Sequence, residues 1–163
     1  MRFVGIDPGY RGAWVVLDDS GRTVSGGAMP VLGSPSRPKG YDAAQIGEVA
    51  RRVVAEAGSG GLRVVCEAPA HVRVKGGLHA HATACLFLCA GLWQGAFGAL
   101  GVEVAFVAAT TWQKALLTGV PGADTKARAK WLAGGGGRVE VSEGWADAWC
   151  VARWSTRGTR GTR

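Results

Sequence analysis

Two apolar stretches of this chain end in a carboxylate. Arg2-Phe3-Val4-Gly5-Ile6 runs into Asp7 and the turn Pro8-Gly9, and Leu62-Arg63-Val64-Val65-Cys66 runs into Glu67 just ahead of Ala68-Pro69. Burying an unpaired charge is costly, so an acid at the end of a buried strand either starts a turn or faces a cation. Glu143 and Asp147 repeat the problem on a helix, where a spacing of four puts them on one face. The residues around them, Trp145, Ala146, Ala148, Trp149, Cys150 and Val151, are apolar almost all round, which predicts a buried helix. Two like charges there call for a shared proton or a cation. For Glu143 a place in the first turn, where the helix dipole favours an acid, is the alternative.

Asp7, Glu67, Glu143 and Asp147 are oxygen donors with no Cys/His ligand set beside them, which points to Mg²⁺, with Mn²⁺ as a substitute. Two such ions about 3.5–4 Å apart support in-line attack of water on a phosphodiester. The expected chemistry is metal-dependent phosphodiester hydrolysis.

The elements that must position these acids are legible as a sequence of runs. Residues 2–7, 12–19 and 23–30 read as a three-strand meander turning at Asp18-Asp19-Ser20-Gly21. Val31 to Asp42, with its prolines and glycines, reads as a loop, and Asp42 as the cap of a helix ending at Gly58. A strand to Glu67 and a basic, glycine-bearing loop from His71 to Ala80 follow. Residues 81–100 read as a long buried helix, serving either as core or as a dimer face. Residues 102–109 read as a strand and 110–117 as a short helix. Asp124 and Ser142 read as caps of two more helices, separated by the break Gly134–Gly137. Parallel pairing of the first and fourth strands would bring Asp7 and Glu67 to one sheet edge, where ligand sites of α/β sheets gather. The predicted fold is α/β, a mixed sheet with an antiparallel N-terminal meander and helices on both faces.

Composition narrows the class. With 163 residues, 47% hydrophobic and 19% charged, the chain fits one globular domain, taken as residues 1–154. No apolar run is read as long enough to span a bilayer and no leader is read at the N-terminus, so a cytoplasmic location and no membrane partner are expected. Cys66, Cys85, Cys89 and Cys150 read as reduced core thiols. The net charge is +7, and residues 153–163 hold four arginines and no acid. Residues 155–163 read as a disordered basic tail, either a solvated end or an arm whose Arg157 and Arg160 reach phosphates. Arg73 and Lys75, directly after Glu67, are placed to do the same.

Taken together, these motifs resemble the RuvC-like Holliday junction resolvases of the RNase H-like superfamily, especially their short phage members. Gly5-Ile6-Asp7-Pro8-Gly9 is similar to the family's first-aspartate motif, Val65-Cys66-Glu67-Ala68-Pro69 to its strand-end glutamate, and Glu143–Trp149 to its C-terminal helix. The segment Thr110–Leu117 resembles the one carrying a basic residue near the scissile phosphate, which implies a catalytic and DNA-binding role for Lys114. Residues 124–130 imply Lys126 in DNA binding. The resemblance implies a five-stranded RNase H-like sheet and a homodimer that clamps a branched DNA, the Holliday junction, in a bacterial or phage-infected cell. It also implies symmetric, metal-dependent nicking of opposing strands. One position departs from the pattern: three residues before the last aspartate, where the family's main bacterial members carry a metal or base residue, this chain has Gly144.

Two other readings compete. Actin-like ATPases and sugar kinases share the Gly-Ile-Asp-x-Gly turn, but they need two such domains and a second phosphate loop after a strand. A non-catalytic branched-DNA-binding protein would keep the fold and the basic charge without needing four acids.

Overall fold

The computed structural model describes residues 1–34, 36–70, 73–74 and 77–159. Strands β1 (Arg2–Asp7), β2 (Ala13–Asp18) and β3 (Thr23–Ala28) form the expected antiparallel meander. A hairpin follows, β4 (Val31–Ser34) and β5 (Arg37–Tyr41), then α1 (Ala43–Ala57), capped by Asp42, whose carboxylate accepts from the Gln45 amide at 2.9 Å. Next come β6 (Leu62–Glu67), the two-residue strands β7 (Arg73–Val74) and β8 (Gly77–Leu78), and α2 (Ala80–Gly98). The chain continues through β9 (Val104–Val107), α3 (Ala109–Leu117), α4 (Thr125–Ala133) and α5 (Glu143–Ser155). The main sheet is five-stranded, in the order β3-β2-β1-β6-β9, with β1, β6 and β9 parallel. This is the predicted RNase H-like mixed sheet.

Central strands are covered on both faces, so their alternation sorts side chains between two cores. Val4 and Ile6 of β1 and Val64 and Cys66 of β6 pack with α1 and α2. Phe3 and Val65 point the other way, against α5 and its neighbours. Asp7 and Glu67 follow Phe3 and Val65 in the two-residue period, so both fall on the α5 side. Parallel pairing through Ile6↔Cys66 sets them in adjacent strands at the same sheet edge.

Helix α5 sits unusually close to β1. A Cβ on Gly5 would lie 2.1 Å from the Ala148 carbonyl oxygen and 2.3 Å from the Ala152 amide nitrogen, so only glycine lets the helix seat there.

Several elements differ from the expected ones. Residues 31–41 form a hairpin rather than a loop. Among the described residues β4 and β5 pair only with each other, so Pro38 removes no ladder bond from a larger sheet, and Gly33 supplies a positive φ of 85°. The basic segment after Glu67 likewise contains the β7–β8 pair. α2 is not buried all round: Thr83, Cys89, Ala90, Trp93 and Phe97 are buried, whereas Phe87 and Leu88 are 50% and 56% exposed. Nor does the expectation of no membrane-length apolar run hold. The 19 residues of α2 are long and apolar enough, although one side of the helix is built into the core shared with α1 and the sheet.

The chain end also differs. Instead of disorder from residue 155, α5 continues to Ser155 and a 3-10 turn covers Thr156–Thr159, with Ser155 and Thr156 buried. The Arg157 guanidinium donates to the Ala115 carbonyl at 2.5 Å, tying this segment to α3. The four cysteines are free thiols, and all but the half-buried Cys85 are buried.

Candidate active site

Three elements bring three acids to one place. Asp7 ends β1, Glu67 ends β6, and Asp147 sits in the second turn of α5; all three are partly buried. Burial is the main cause that raises the Asp7 carboxyl well above its usual range, and the charges of Asp147 and then Glu67 add to it. Burial, then Glu67, pushes Asp147 up to about 6, with Lys126 partly offsetting both. Glu67 is raised by burial and eased back by a hydrogen bond. None of the three has an ion-pair partner among the described residues. Three like charges in a poorly solvated pocket either hold protons or face a cation.

The hydrogen bond on Glu67 comes from Trp112. Its fully buried indole Nε1–H donates to Glu67 Oε2 at 2.8 Å, fixing the carboxylate against α3. In the sequence this segment stands out only for Lys114. The overlooked signal was a tryptophan at a buried helix position, whose N–H needs an acceptor. Lys114 itself is exposed on the last turn of α3 and makes no described contact with the acids.

Glu143 stands apart from this trio. It is exposed, and its Oε2 accepts from Lys126 Nζ at 2.5 Å. That bond and the lysine's charge lower the Glu143 carboxyl and raise the Lys126 ammonium. The one-face geometry of Glu143 and Asp147 therefore leads to two environments: Asp147 faces the other acids, whereas Glu143 faces α4.

Gly144 has a steric explanation. A Cβ there would lie 2.2 Å from the Arg11 carbonyl oxygen and 2.8 Å from the Gly12 Cα, because the start of α5 rests on the β1–β2 turn. No side chain fits at this position, so a ligand three residues before Asp147 is excluded in this packing.

The donor set of Asp7, Glu67 and Asp147 fits a hard divalent cation in kind and in charge. Among the described residues, no three His, Cys, Asp or Glu side chains are already drawn into a closed ligand cluster. Of the expected DNA-contacting residues, Lys126 lies beside the acids, and Arg157, in the 3-10 turn after α5, is bonded to the Ala115 carbonyl of α3. Arg73 stands in β7, and Lys75 and Arg160 lie outside the described residues.

Neither a family model nor a curated protein matches the chain. Solved structures do. "T. thermophilus RuvC in complex with Holliday junction substrate" superposes with a TM-score of 0.69 at 20% identity, covering 99% of this chain and 97% of that one. A second Thermus thermophilus RuvC structure gives a TM-score of 0.67 at 21% identity, covering 99% and 98%. At this identity the likeness is one of fold, and it spans the whole chain.

Proposed function

We propose that this protein is a structure-selective DNA endonuclease of the RuvC-like kind, cutting four-way junctions by metal-dependent hydrolysis. One observation carries the reading: three partly buried carboxylates, none of them ion-paired among the described residues, lie at the parallel strand ends of a RuvC-like fold. The solved neighbour bound to a Holliday junction supports junctions as the substrate class. Asp7, Glu67 and Asp147 would hold Mg²⁺ or Mn²⁺. Bound there, the metal would lower the pKa of a water and stabilise charge on the phosphate. Trp112 holds Glu67 in place, and Lys126 supplies positive charge at the rim for a phosphate to approach. Lys114, further along the exposed side of α3, serves the flanking backbone.

The test is cleavage of four-way, three-way and linear duplex DNA, with Mg²⁺ and with EDTA. Preferential nicking of the four-way junction, lost in EDTA, is the expected result. Binding without cutting under any metal would favour the non-catalytic reading instead.

Glu143 takes an outer role in this scheme, since holding a second ion would require it to leave Lys126. Glu143→Gln is expected to lower cleavage by about tenfold or less, below the roughly hundredfold or greater loss of a direct charge contact. A hundredfold loss that extra Mn²⁺ partly restores would instead make Glu143 a ligand. Both outcomes are read from single-turnover rates.

Symmetric cutting needs two sites, so the proposal includes a homodimer. The exposed side of α2 supports it: Phe87 and Leu88 stand beside Gly91 and Gly95, where an added Cβ would meet nothing within 4 Å. Leu88→Glu should turn the dimer into a monomer in sedimentation runs at micromolar concentration. A parent protein that is already monomeric there removes the dimer from the scheme.

A further inference from the structure

The β4–β5 hairpin is tied to the catalytic turn. Tyr41, the last residue of β5, is buried and stacks on Tyr10 with ring centroids 4.6 Å apart, and Tyr10 lies three residues after Asp7. At its other end the hairpin returns to the site: Ser36, at the tip, faces Tyr10, Arg11, Ser142 and Glu143 across an open groove of about 500 Å³. The groove thus runs between the hairpin and the start of the helix that carries Asp147.

The hairpin's charge is one-sided. Between Asp19 and Asp42 the sequence contains Arg22, Arg37 and Lys39 and no acid. Arg37 and Lys39 are exposed, and among the described residues neither has an ion-pair partner. Lys39 is also singled out by the backbone. The register steps from Leu32↔Gly40 to Gly33↔Pro38, leaving Lys39 as the extra residue of a bulge. Bulges re-aim side chains and are enriched beside active sites. Of the nearby acids, Glu143 is paired with Lys126 and Glu48 with Arg51. Arg11, exposed on the β1–β2 turn, is a further cation and lines the groove that Ser36 also lines.

We infer that the β4–β5 hairpin is a DNA-binding wall, in which the exposed Arg37 and Lys39, with Arg37 next to the groove-lining Ser36, contact backbone phosphates of a duplex arm leaving the carboxylate site. The inference rests on the nucleic-acid reading above and adds a surface that neither the motifs nor the acids point to. A polyanionic backbone suits it because the cations are exposed and spread over the hairpin and the β1–β2 turn rather than gathered into one pocket. Contacts of this type position DNA without reading its sequence.

The test is the salt dependence of binding, measured by fluorescence anisotropy on a labelled four-way junction and a linear duplex in EDTA, so that no cutting is needed. Arg37→Gln with Lys39→Gln in the full chain should reduce the slope of log K against log salt by about 1 to 2, the share of one or two phosphates. Arg37→Lys with Lys39→Arg should keep the parent slope. A thermal melt matching the parent confirms that the exposed hairpin is intact. A parent slope in the glutamine variant overturns the hairpin assignment while leaving the nuclease reading in place. A parent that binds neither DNA overturns both.

Discussion

Asp7→Asn is expected to lower Mg²⁺-dependent junction cleavage by at least about a hundredfold while leaving junction binding intact or tighter. The substitution keeps the size of the side chain and removes one negative charge from a site that a phosphate must approach. It should also change stability. A carboxyl whose folded pKa is raised binds its proton more firmly in the folded than in the unfolded chain. Its contribution is therefore fully present below the unfolded value, near 4, and is lost as pH rises through the folded value. Asp7 is raised well above its usual range and Asp147 is pushed up to about 6, both chiefly by burial. The metal-free parent should thus lose stability from about pH 4 upward through these values. Asp7→Asn should melt higher than the parent at pH 8 without metal and show a shallower fall with pH. Added Mg²⁺ should raise the parent's melting temperature at pH 8 and raise the variant's less. Parent-rate nicking by the variant, or a Mg²⁺ shift equal to the parent's, would remove Asp7 from the site.

The second large effect is expected at a residue with no chemistry at all. Gly5→Ala places a methyl group 2.1 Å from the Ala148 carbonyl oxygen and 2.3 Å from the Ala152 amide. Both neighbours are main chain, so no side chain can rotate away and α5 must lift from β1. Overpacking of this kind costs about 1–3 kcal/mol, at roughly 2–4 °C per kcal/mol for a chain of this size. A melting temperature about 2–12 °C lower follows. Ala148 directly follows Asp147, so the same shift displaces a carboxylate, and a misplacement of about 1 Å costs up to about a hundredfold in rate. Gly47→Ala in α1, where an added Cβ meets nothing within 4 Å, is the control and should be neutral or slightly stabilising. If Gly5→Ala melts and cuts like the parent, the close seating of α5 on β1 is wrong.

The parts of the site legible in the sequence were those written in local pattern. An apolar strand ending in a carboxylate marks Asp7 and Glu67 because alternation decides which face each residue takes. The caps Asp42, Asp124 and Ser142 are likewise local, and each accepts from an amide three residues on. What stayed hidden depends on contacts between distant segments. The pairing of Lys126 with Glu143 and the Trp112–Glu67 bond join residues on different elements, and no spacing announces them. The β4–β5 hairpin escaped notice because its prolines and glycines signal a loop, and a ribbon pairing only with itself needs no apolar alternation. In α2 the failure was of contrast: apolar and small residues all round leave no polar stripe to show which side faces water. Gly144 was legible only as a missing ligand. Its reason, the Arg11 carbonyl against which α5 rests, required the fold.

The seating of α5 on β1 also bears on how the molecule comes into being. The first strand waits for partners from far along the chain, β6 on one flank and the C-terminal helix across its face. Contacts so distant in sequence are slow to form, because long loops must close before any of them is rewarded. During synthesis, which proceeds from the N-terminus, Asp7 and Glu67 emerge well before the segment that brings Asp147. An incomplete chain therefore has a sheet edge with two acids and no third. Under the proposed function, cutting competence arrives only with the last helix, and a nascent chain poses no hazard to the DNA around it.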